Sequence, residues 1–260
     1  MHWRIPAAPT AMALLACAVA PAHAQQLKTD GHWRGSGGAA LAATSGNNET
    51  TSALLSFELG RATLIDKVNF VGNLNHGRSK VDGERKTTAD KWNVNGQYDH
   101  NLTPQFYNFV KLGFESDKVA ELALRTTVAL GSGYKLIDTE DNMFSLLGGG
   151  ARSTDRYRVP VTIDGNTTTR FSRSSLFVGE ESQHKLTANT TFKQRLEFYP
   201  GISGDQANLV KLTAGLGVAI NATMNLTVGL TNNYNSRPPD GQKHNDVGLF
   251  TGVNVKLGAD

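Results

Sequence analysis

The chain has 260 residues and a net charge of +3, and 39% of its residues are hydrophobic. That charge is too small to indicate nucleic-acid binding. The single cysteine, Cys17, lies near the N-terminus, in a leader described next. The remainder of the chain therefore has no residue for a disulfide, a thiolate nucleophile or a cysteine metal site. The length is sufficient for one large domain or two ordinary ones.

Residues 1–24 have the composition of a cleaved secretory signal peptide. Arg4 supplies the positive start, Ala11 to Ala20 the apolar stretch, and Ala22 to Ala24 a small-residue cleavage site. The apolar stretch is far shorter than the roughly 20 residues that a membrane-spanning helix needs. We therefore predict export with cleavage after Ala24, which leaves residues 25–260 as one domain.

The rest of the chain alternates apolar and polar residues with a period of two, which is typical of β-strands with one apolar face. Between Thr51 and Leu59, for example, Leu55 and Phe57 share the apolar side, while Ser56 and Glu58 share the polar side. No helical pattern is present to cover the apolar faces. A sheet closed on itself with its apolar side in lipid is the simplest solution.

About twelve segments have this pattern, and bacterial outer-membrane barrels have an even number of strands. They are Trp33–Leu41, Thr51–Leu59, Asp66–Asn75, Lys91–Tyr98, Gln105–Glu115, Ala120–Gly131, Met143–Ala151, Ser174–Glu180, Leu186–Phe198, Asn208–Ile220, Met224–Leu230 and Val247–Leu257. The sequence predicts an all-β fold, a closed antiparallel transmembrane β-barrel of about 12 strands.

The connections between these segments alternate in length. Thr103-Pro104 and Asn221-Ala222 are short, whereas the polar stretches Gly77–Asp90 and Arg152–Arg173 are predicted long external loops. The second stretch has Asp164-Gly165-Asn166 at its middle, so it is either one loop or a loop with its own small hairpin.

Charged residues recur on the face opposite the lipid-facing set. They are Glu58, Lys111, Glu115, Glu121, Arg125, Lys193, Arg195, Glu197 and Lys211. Arg or Lys on the lipid side near the midplane would cost about 2–4 kcal/mol, so this one-sided placement favours a barrel with a polar interior. Two interpretations remain open: a water-filled pore whose charges tune selectivity, or a closed interior in which these residues form salt bridges.

Residues with catalytic or metal-binding potential do not form a recognisable site. His100 or His184 with a nearby serine could form a lipid-hydrolysing dyad, but no nucleophile elbow is present. The acidic loop of Asp138, Glu140, Asp141 and Asn142 could hold calcium, but its spacing is not that of an EF-hand loop, and a solvated turn is favoured. We therefore predict no catalytic residues, no metal, no cofactor and no enzyme activity.

Several short motifs occur together in a characteristic order: Trp33–Leu41, Ala89–Trp92, Gly96–Asp99, Gly131–Tyr134 and Thr251–Leu257. Over nearly all of the mature chain, their order and spacing resemble the salt-induced outer-membrane proteins, a family of DUF481-like β-barrels. The resemblance implies an outer-membrane barrel of unsettled biochemical role, and it is the source of any link to salt or osmotic stress. It brings no agreed catalytic residues.

These observations predict a monomeric barrel of the bacterial outer membrane, acting as a narrow pore or as an envelope protein under salt or osmotic stress. The alternatives are a plugged structural or adhesion-type barrel that binds through external loops, and an outer-membrane lipid hydrolase. The expected partners are outer-membrane lipid, the barrel-assembly machinery during biogenesis and small solutes, with no nucleic acid.

Overall fold

A computed structural model describes residues 27–44, 48–81 and 84–258 of the chain. The predicted signal peptide, Met1 to Ala24, lies outside the described residues. The described residues include no helix of the length and apolarity that crossing a membrane requires.

The described residues form thirteen β-strands. These are β1 (Arg34–Thr44), β2 (Asn48–Ala62), β3 (Asp66–Val81), β4 (Glu84–Asn101), β5 (Phe106–Asp117), β6 (Leu122–Asp138), β7 (Asn142–Ile163), β8 (Asn166–Lys185), β9 (Thr190–Tyr199), β10 (Gly201–Gly204), β11 (Leu209–Ala219), β12 (Met224–Asn235) and β13 (Asn245–Leu257).

The strands close into an antiparallel barrel, because β1 pairs with both β2 and β13. Strands β9 and β10 both pair with β8 and flank Pro200, so they are two parts of one strand. Proline has no N–H to donate to a ladder, and its position explains the interruption. The barrel therefore has twelve strands, and the predicted fold class and strand number are confirmed.

The two ends of the barrel differ. At one end, which we call the turn end, the connections are short, at residues 63–65, 102–105, 139–141, 186–189 and 220–223. The predicted short connections Thr103-Pro104 and Asn221-Ala222 lie there. The opposite end, the hairpin end, carries the long β3–β4 and β7–β8 hairpins.

The prediction of two long external loops is wrong. Residues 77–90 lie mostly within β3 and β4, and residues 152–173 lie within β7 and β8 apart from a turn at Asp164 and Gly165. The alternative of a hairpin in the second stretch is confirmed, with positive φ angles of 48° and 78° at that turn. Polar side chains on both faces remove the alternation there, although the backbone ladder continues.

The predicted alternation of faces is confirmed through most of the barrel. Leu55 and Phe57 are exposed on the outside, whereas Ser56 and Glu58 are buried inside. Comparable exposed apolar side chains encircle the barrel: Leu74, Val94, Leu112, Val128, Leu146, Val178, Leu196, Leu216, Val228 and Val253.

The alternation fails at a β-bulge in β6. The register with β7 shifts between Leu122 and Leu124, and Leu122 is consequently buried against Tyr157, Ile163 and Phe171. The alternation of the segment Ala120–Gly131 would place Leu122 on the lipid side with Val128 and Leu130, and this expectation is wrong, because one extra residue reverses the faces of a strand.

Several strand glycines have an aromatic residue as their cross-strand neighbour. Gly133 lies opposite Tyr107, and Gly229 lies opposite Phe250. A Cβ atom added to either glycine would overlap the facing ring. The absence of a side chain at these positions lets an aromatic ring cover the strand, which partly explains why glycine is frequent in the strands.

Candidate functional site: the barrel interior

A cavity of about 460 Å³ occupies part of the barrel interior. At the turn end its wall includes Leu27 and Thr63, and further inside it includes Lys111. Toward the hairpin end, the cavity extends as far as Arg125 and Lys211. The cavity is therefore an elongated space along the barrel, and its wall is supplied by side chains from many strands.

Eight of the nine predicted inward-facing charges line this cavity: Glu58, Lys111, Glu115, Arg125, Lys193, Arg195, Glu197 and Lys211. Glu121 does not, because it lies in the exposed turn between β5 and β6 with a φ of 56°. The alternation assigned Glu121 to a strand, and the left-handed backbone at this turn is the reason that assignment fails.

Within the cavity wall, Glu197 is the centre of one ion-pair network. Its Oε1 lies 2.5 Å from Lys111 Nζ and 2.7 Å from Arg195 Nε, and its Oε2 accepts a hydrogen bond of 2.9 Å from Tyr199 Oη. Arg195 also contacts Glu181 at 2.8 Å. A buried carboxylate with this many donors is fully satisfied, which holds strands on different sides of the barrel together.

A second network lies toward the hairpin end. Asp155 accepts one hydrogen bond from Arg125 Nε at 2.7 Å and another from Arg173 Nη2 at 3.0 Å. Arg173 also forms an ion pair with Asp205 at 2.7 Å. Asp155 and Arg173 are only 2% and 3% exposed. Neither of them lines the cavity, so this network begins at Arg125 in the cavity wall and continues beyond the cavity.

The hairpin end of the barrel is covered by the segment between β12 and β13. Arg237 Nη1 lies 2.5 Å from Asp164 Oδ2 at the tip of the β7–β8 hairpin, and the Asp240 N–H donates to Thr162 O at 3.1 Å. Gln242 Nε2 donates to Ala120 O in the β5–β6 turn at 3.2 Å. These two partners belong to different hairpins, so the segment bridges across this mouth.

The first described residues attach to the turn end. Asp30 accepts two hydrogen bonds from the Arg34 guanidinium, at 2.7 and 2.5 Å, and the Gly31 N–H donates to Ala62 O at 2.8 Å. The hydrogen bonds from Arg34 hold the pKa of Asp30 well below its usual value. These hydrogen bonds hold the first described residues against the barrel, where Leu27 lines the mouth of the cavity.

Several charged residues of the interior were not among those predicted: Lys67, Asp99, Asp155, Arg173, Glu181 and Asp205. The alternation with Val68 and Phe70 would have identified Lys67, since it lies on the polar side of that segment. Asp155 and Arg173 could not be found in this way because they belong to the stretch interpreted as a loop.

The histidines and acidic residues considered for chemistry lie at the turn end. His100 Nδ1 is 2.9 Å from Asp66 Oδ1, and His184 Nδ1 is 2.9 Å from Asn142 Oδ1. In the predicted acidic turn, Asp138 pairs with Lys135 at 3.1 Å, and Asp141 pairs with Lys185 at 2.9 Å. Within the described residues, no group of three His, Cys, Asp or Glu side chains is arranged to hold a metal ion.

Comparison with known proteins gives distant structural similarities. An outer-membrane channel from Pseudomonas putida F1 is 13% identical with a TM-score of 0.46, covering 92% of this chain and 98% of its own. The NanC porin is 8% identical with a TM-score of 0.46, and the match covers 86% of this chain and 97% of the porin chain. The translocator domain of the autotransporter NalP from Neisseria meningitidis is 12% identical with a TM-score of 0.41, covering 86% of each chain.

These TM-scores are all below 0.5, so the similarities carry no argument about function. No curated protein matches the chain in sequence. A family profile described as "Protein of unknown function, DUF481" matches residues 37–257, and the chain belongs to this family.

Proposed function

We propose that the protein is a narrow outer-membrane pore for small polar solutes. The observation that carries this proposal is a cavity lined mainly by polar and charged residues, inside a closed barrel with many apolar side chains exposed on its outer surface. An apolar outside and a polar inside are what a barrel in a bilayer requires, because lipid cannot satisfy polar groups and water fills the interior. The proposed activity is passive and involves no chemical step.

Exposed aromatic side chains support insertion in a membrane. Tyr98, Phe106 and Tyr134 lie near the turn end, and Phe106 pairs directly with Tyr134. Trp92 and Phe114 are exposed nearer the hairpin end. Two such aromatic levels flank the apolar band of outer-membrane barrels. We infer that the turn end faces the periplasm and that the protein is inserted as a monomer by the barrel-assembly machinery.

The charges on the cavity wall favour anions weakly. Eight cationic side chains line it, namely Lys67, Lys91, Lys111, Arg125, Lys135, Lys193, Arg195 and Lys211. Six anionic ones accompany them, namely Glu58, Asp99, Glu115, Asp138, Glu181 and Glu197. An excess of two positive charges in a confined space attracts anions, although the many ion pairs reduce the effect.

The bridge formed by residues 236–244 must move for solutes to pass. Its contacts with the β7–β8 hairpin include one exposed ion pair, Arg237 with Asp164, and one backbone hydrogen bond, from Asp240 to Thr162. Exposed ion pairs contribute about 0–1 kcal/mol, so this contact is weak enough to open and close. We therefore propose a pore that is closed at the hairpin end in its resting state.

Conductance of refolded residues 25–260 in planar bilayers tests this proposal, after folding is checked by a heat-sensitive gel shift. We expect small steps with a mild preference for chloride in a salt gradient, and more frequent opening for Arg237→Ser. The matched control is Arg152→Ser, which removes an outward arginine whose guanidinium donates to Ser174 Oγ. A folded barrel that stays silent, also when residues 236–244 are shortened, would contradict the pore.

The closed hairpin end favours a second candidate, a plugged barrel that binds a partner through its long β7–β8 hairpin. Shortening this hairpin to remove residues 158–169 would abolish such binding and leave a pore conducting. A role under salt or osmotic stress rests on the family resemblance. It predicts slower growth of a deletion strain at high salt, restored by the wild-type gene.

A further inference from the structure

Two arginines lie side by side on the outer face of the β7–β8 hairpin. Arg156 of β7 is directly opposite Arg170 of β8 in the register, so both side chains leave the same face of the sheet. That face is the outer one, because the adjacent residues Asp155 and Phe171 are buried inside the barrel. Like charges directly opposite each other destabilise a β-ladder, so this arrangement is unfavourable unless an anion lies between the two side chains.

Neither guanidinium has a counter-charge in the part of the chain that the structure describes. Arg156 and Arg170 are exposed, and no described residue forms a hydrogen bond or an ion pair with either guanidinium. Two other exposed arginines of β7 differ, since Arg152 donates to Ser174 Oγ at 3.1 Å and Arg158 donates to backbone carbonyl oxygens. The N–H donors of the opposed pair therefore remain available to an anion.

Hydroxyl groups lie beside the two arginines on the same face. Thr154 and Ser172 are each two residues nearer the turn end, and their hydroxyl oxygens are 3.2 Å apart. A hydroxyl has one donor, and only one of these two groups can donate to the other. The second O–H group is thus free to donate to a ligand. We call Arg156, Arg170, Thr154 and Ser172 the arginine patch.

The arginine patch lies where the lipid-facing surface ends. The exposed aromatic residue Phe114 lies on the same cross-strand row as Thr154, with Thr126 between them. Further toward the turn end on β8, Leu176 and Val178 are exposed apolar residues of the outer face. Aromatic residues of a barrel lie at the level of the lipid headgroups. The arginines follow one row later, about 7 Å along the strand, so their side chains can reach headgroups.

We propose that the arginine patch binds the headgroup of an anionic membrane lipid with an accessible phosphate group. A guanidinium fork matches a phosphate in a bidentate geometry, so one phosphate between Arg156 and Arg170 would remove their repulsion. The acyl chains would lie along the apolar surface that includes Leu176 and Val178. An acidic protein fits less well because the patch continues into this surface. The site rests on the membrane insertion proposed above, and it is independent of whether the barrel conducts.

Native mass spectrometry of folded residues 25–260, released from dodecyl maltoside micelles, tests the site. The micelles contain equal amounts of dioleoyl phosphatidic acid, which has a terminal phosphate, and dioleoyl phosphatidylcholine, which has the same acyl chains and no net charge. We expect adducts with phosphatidic acid to be about tenfold more abundant or more, since a hydrogen bond to a charged group is worth about one decade. Equal adducts of the two lipids overturn the proposal. Loss of the phosphatidic acid adduct on adding an equal concentration of inorganic phosphate or hexaglutamate also overturns it, because the patch would then take a soluble anion or an acidic protein.

Two double variants locate the site. Arg156→Gln with Arg170→Gln should reduce the preference for phosphatidic acid to about twofold or less. The matched control, Arg85→Gln with Lys86→Gln, removes the same charge from exposed positions of the β3–β4 hairpin and should keep the preference. If the first double variant fails the gel-shift test of folding, Arg156→Gln alone should still lower the preference about threefold. An unchanged preference in the folded patch variants, or an equal loss in the control, overturns the site even if the barrel conducts.

Discussion

The two sides of the barrel interior use polar residues differently. On one side, which we call the paired wall, ion pairs of 2.5 to 3.0 Å join Arg125, Asp155 and Arg173 in one network and Lys111 and Glu197 in another. On the other side, the open wall, buried polar atoms of β1 to β3 lack partners among the described residues; they belong to Ser36, Ser56, Glu58, Asn69, Asn73 and Asn75. The same alternation of residues thus produces one wall built largely on ion pairs and one on which several buried polar atoms have no partner among the described residues.

The largest expected effect comes from the paired wall. Arg173→Met leaves Asp155 and Asp205 buried without one of their cations, so the free energy of unfolding should fall by about 3–5 kcal/mol. Urea unfolding of the refolded barrel, followed by tryptophan fluorescence, measures it. Arg152→Met in the same hairpin points outward and should change stability by less than about 0.5 kcal/mol. Equal effects of the two substitutions would mean that the network is not structural.

Glu197→Gln should have the next largest effect. It removes the charge that Lys111 and Arg195 share, and the free energy of unfolding should fall by about 1.5–3 kcal/mol, the range for hydrogen bonds to charged groups. In bilayers, the same substitution raises the excess of positive charge on the cavity wall and should increase anion preference. Tyr199→Phe removes one hydrogen bond to the same carboxylate without changing its charge, and it should leave selectivity unaltered.

Packing of the paired wall predicts a smaller effect. The ring of Tyr107, which belongs to the inner apolar cluster with Phe109 and Phe177, occupies the space where a side chain at Gly133 would lie. Gly133→Val should therefore destabilise the barrel by about 1–3 kcal/mol through overpacking. Gly150→Ala is the control because nothing lies within 4 Å of its Cβ position. If both variants unfold at the same urea concentration, Tyr107 can move aside.

A substitution in the open wall should have the smallest effect on the free energy of unfolding. Glu58→Gln removes a buried charge whose Oε2 accepts no hydrogen bond from a described residue, and Glu181 remains as a counter-charge for the neighbouring Lys193, so stability should change by about 1 kcal/mol or less. Urea unfolding of Glu58→Gln and Arg173→Met under the same conditions compares their free energies of unfolding. A loss as large as that of Arg173→Met would show that Glu58 is already paired within the barrel and would remove the distinction between the two walls.

The sequence predicts the barrel well because alternation is a local property that each strand carries by itself. It also predicts which charges face inward, as at Lys111, Arg195 and Glu197. It does not predict which charges meet, because Lys111 and Glu197 are 86 residues apart and their contact depends on the register of every strand between them. Local irregularities are likewise invisible: a bulge at Leu122 and a left-handed turn at Glu121 each move a residue from its expected face.

The pairing of β1 with β13 has a consequence for biogenesis. Five residue pairs, from Gly35 with Leu257 to Ala39 with Val253, join the two strands. Until β13 has been synthesised, β1 presents unpaired backbone groups along one edge, and such an edge invites aggregation or pairing with another chain. In a chain that stops before β13, this edge of β1 has no partner strand, so we expect such a product to aggregate or to be degraded.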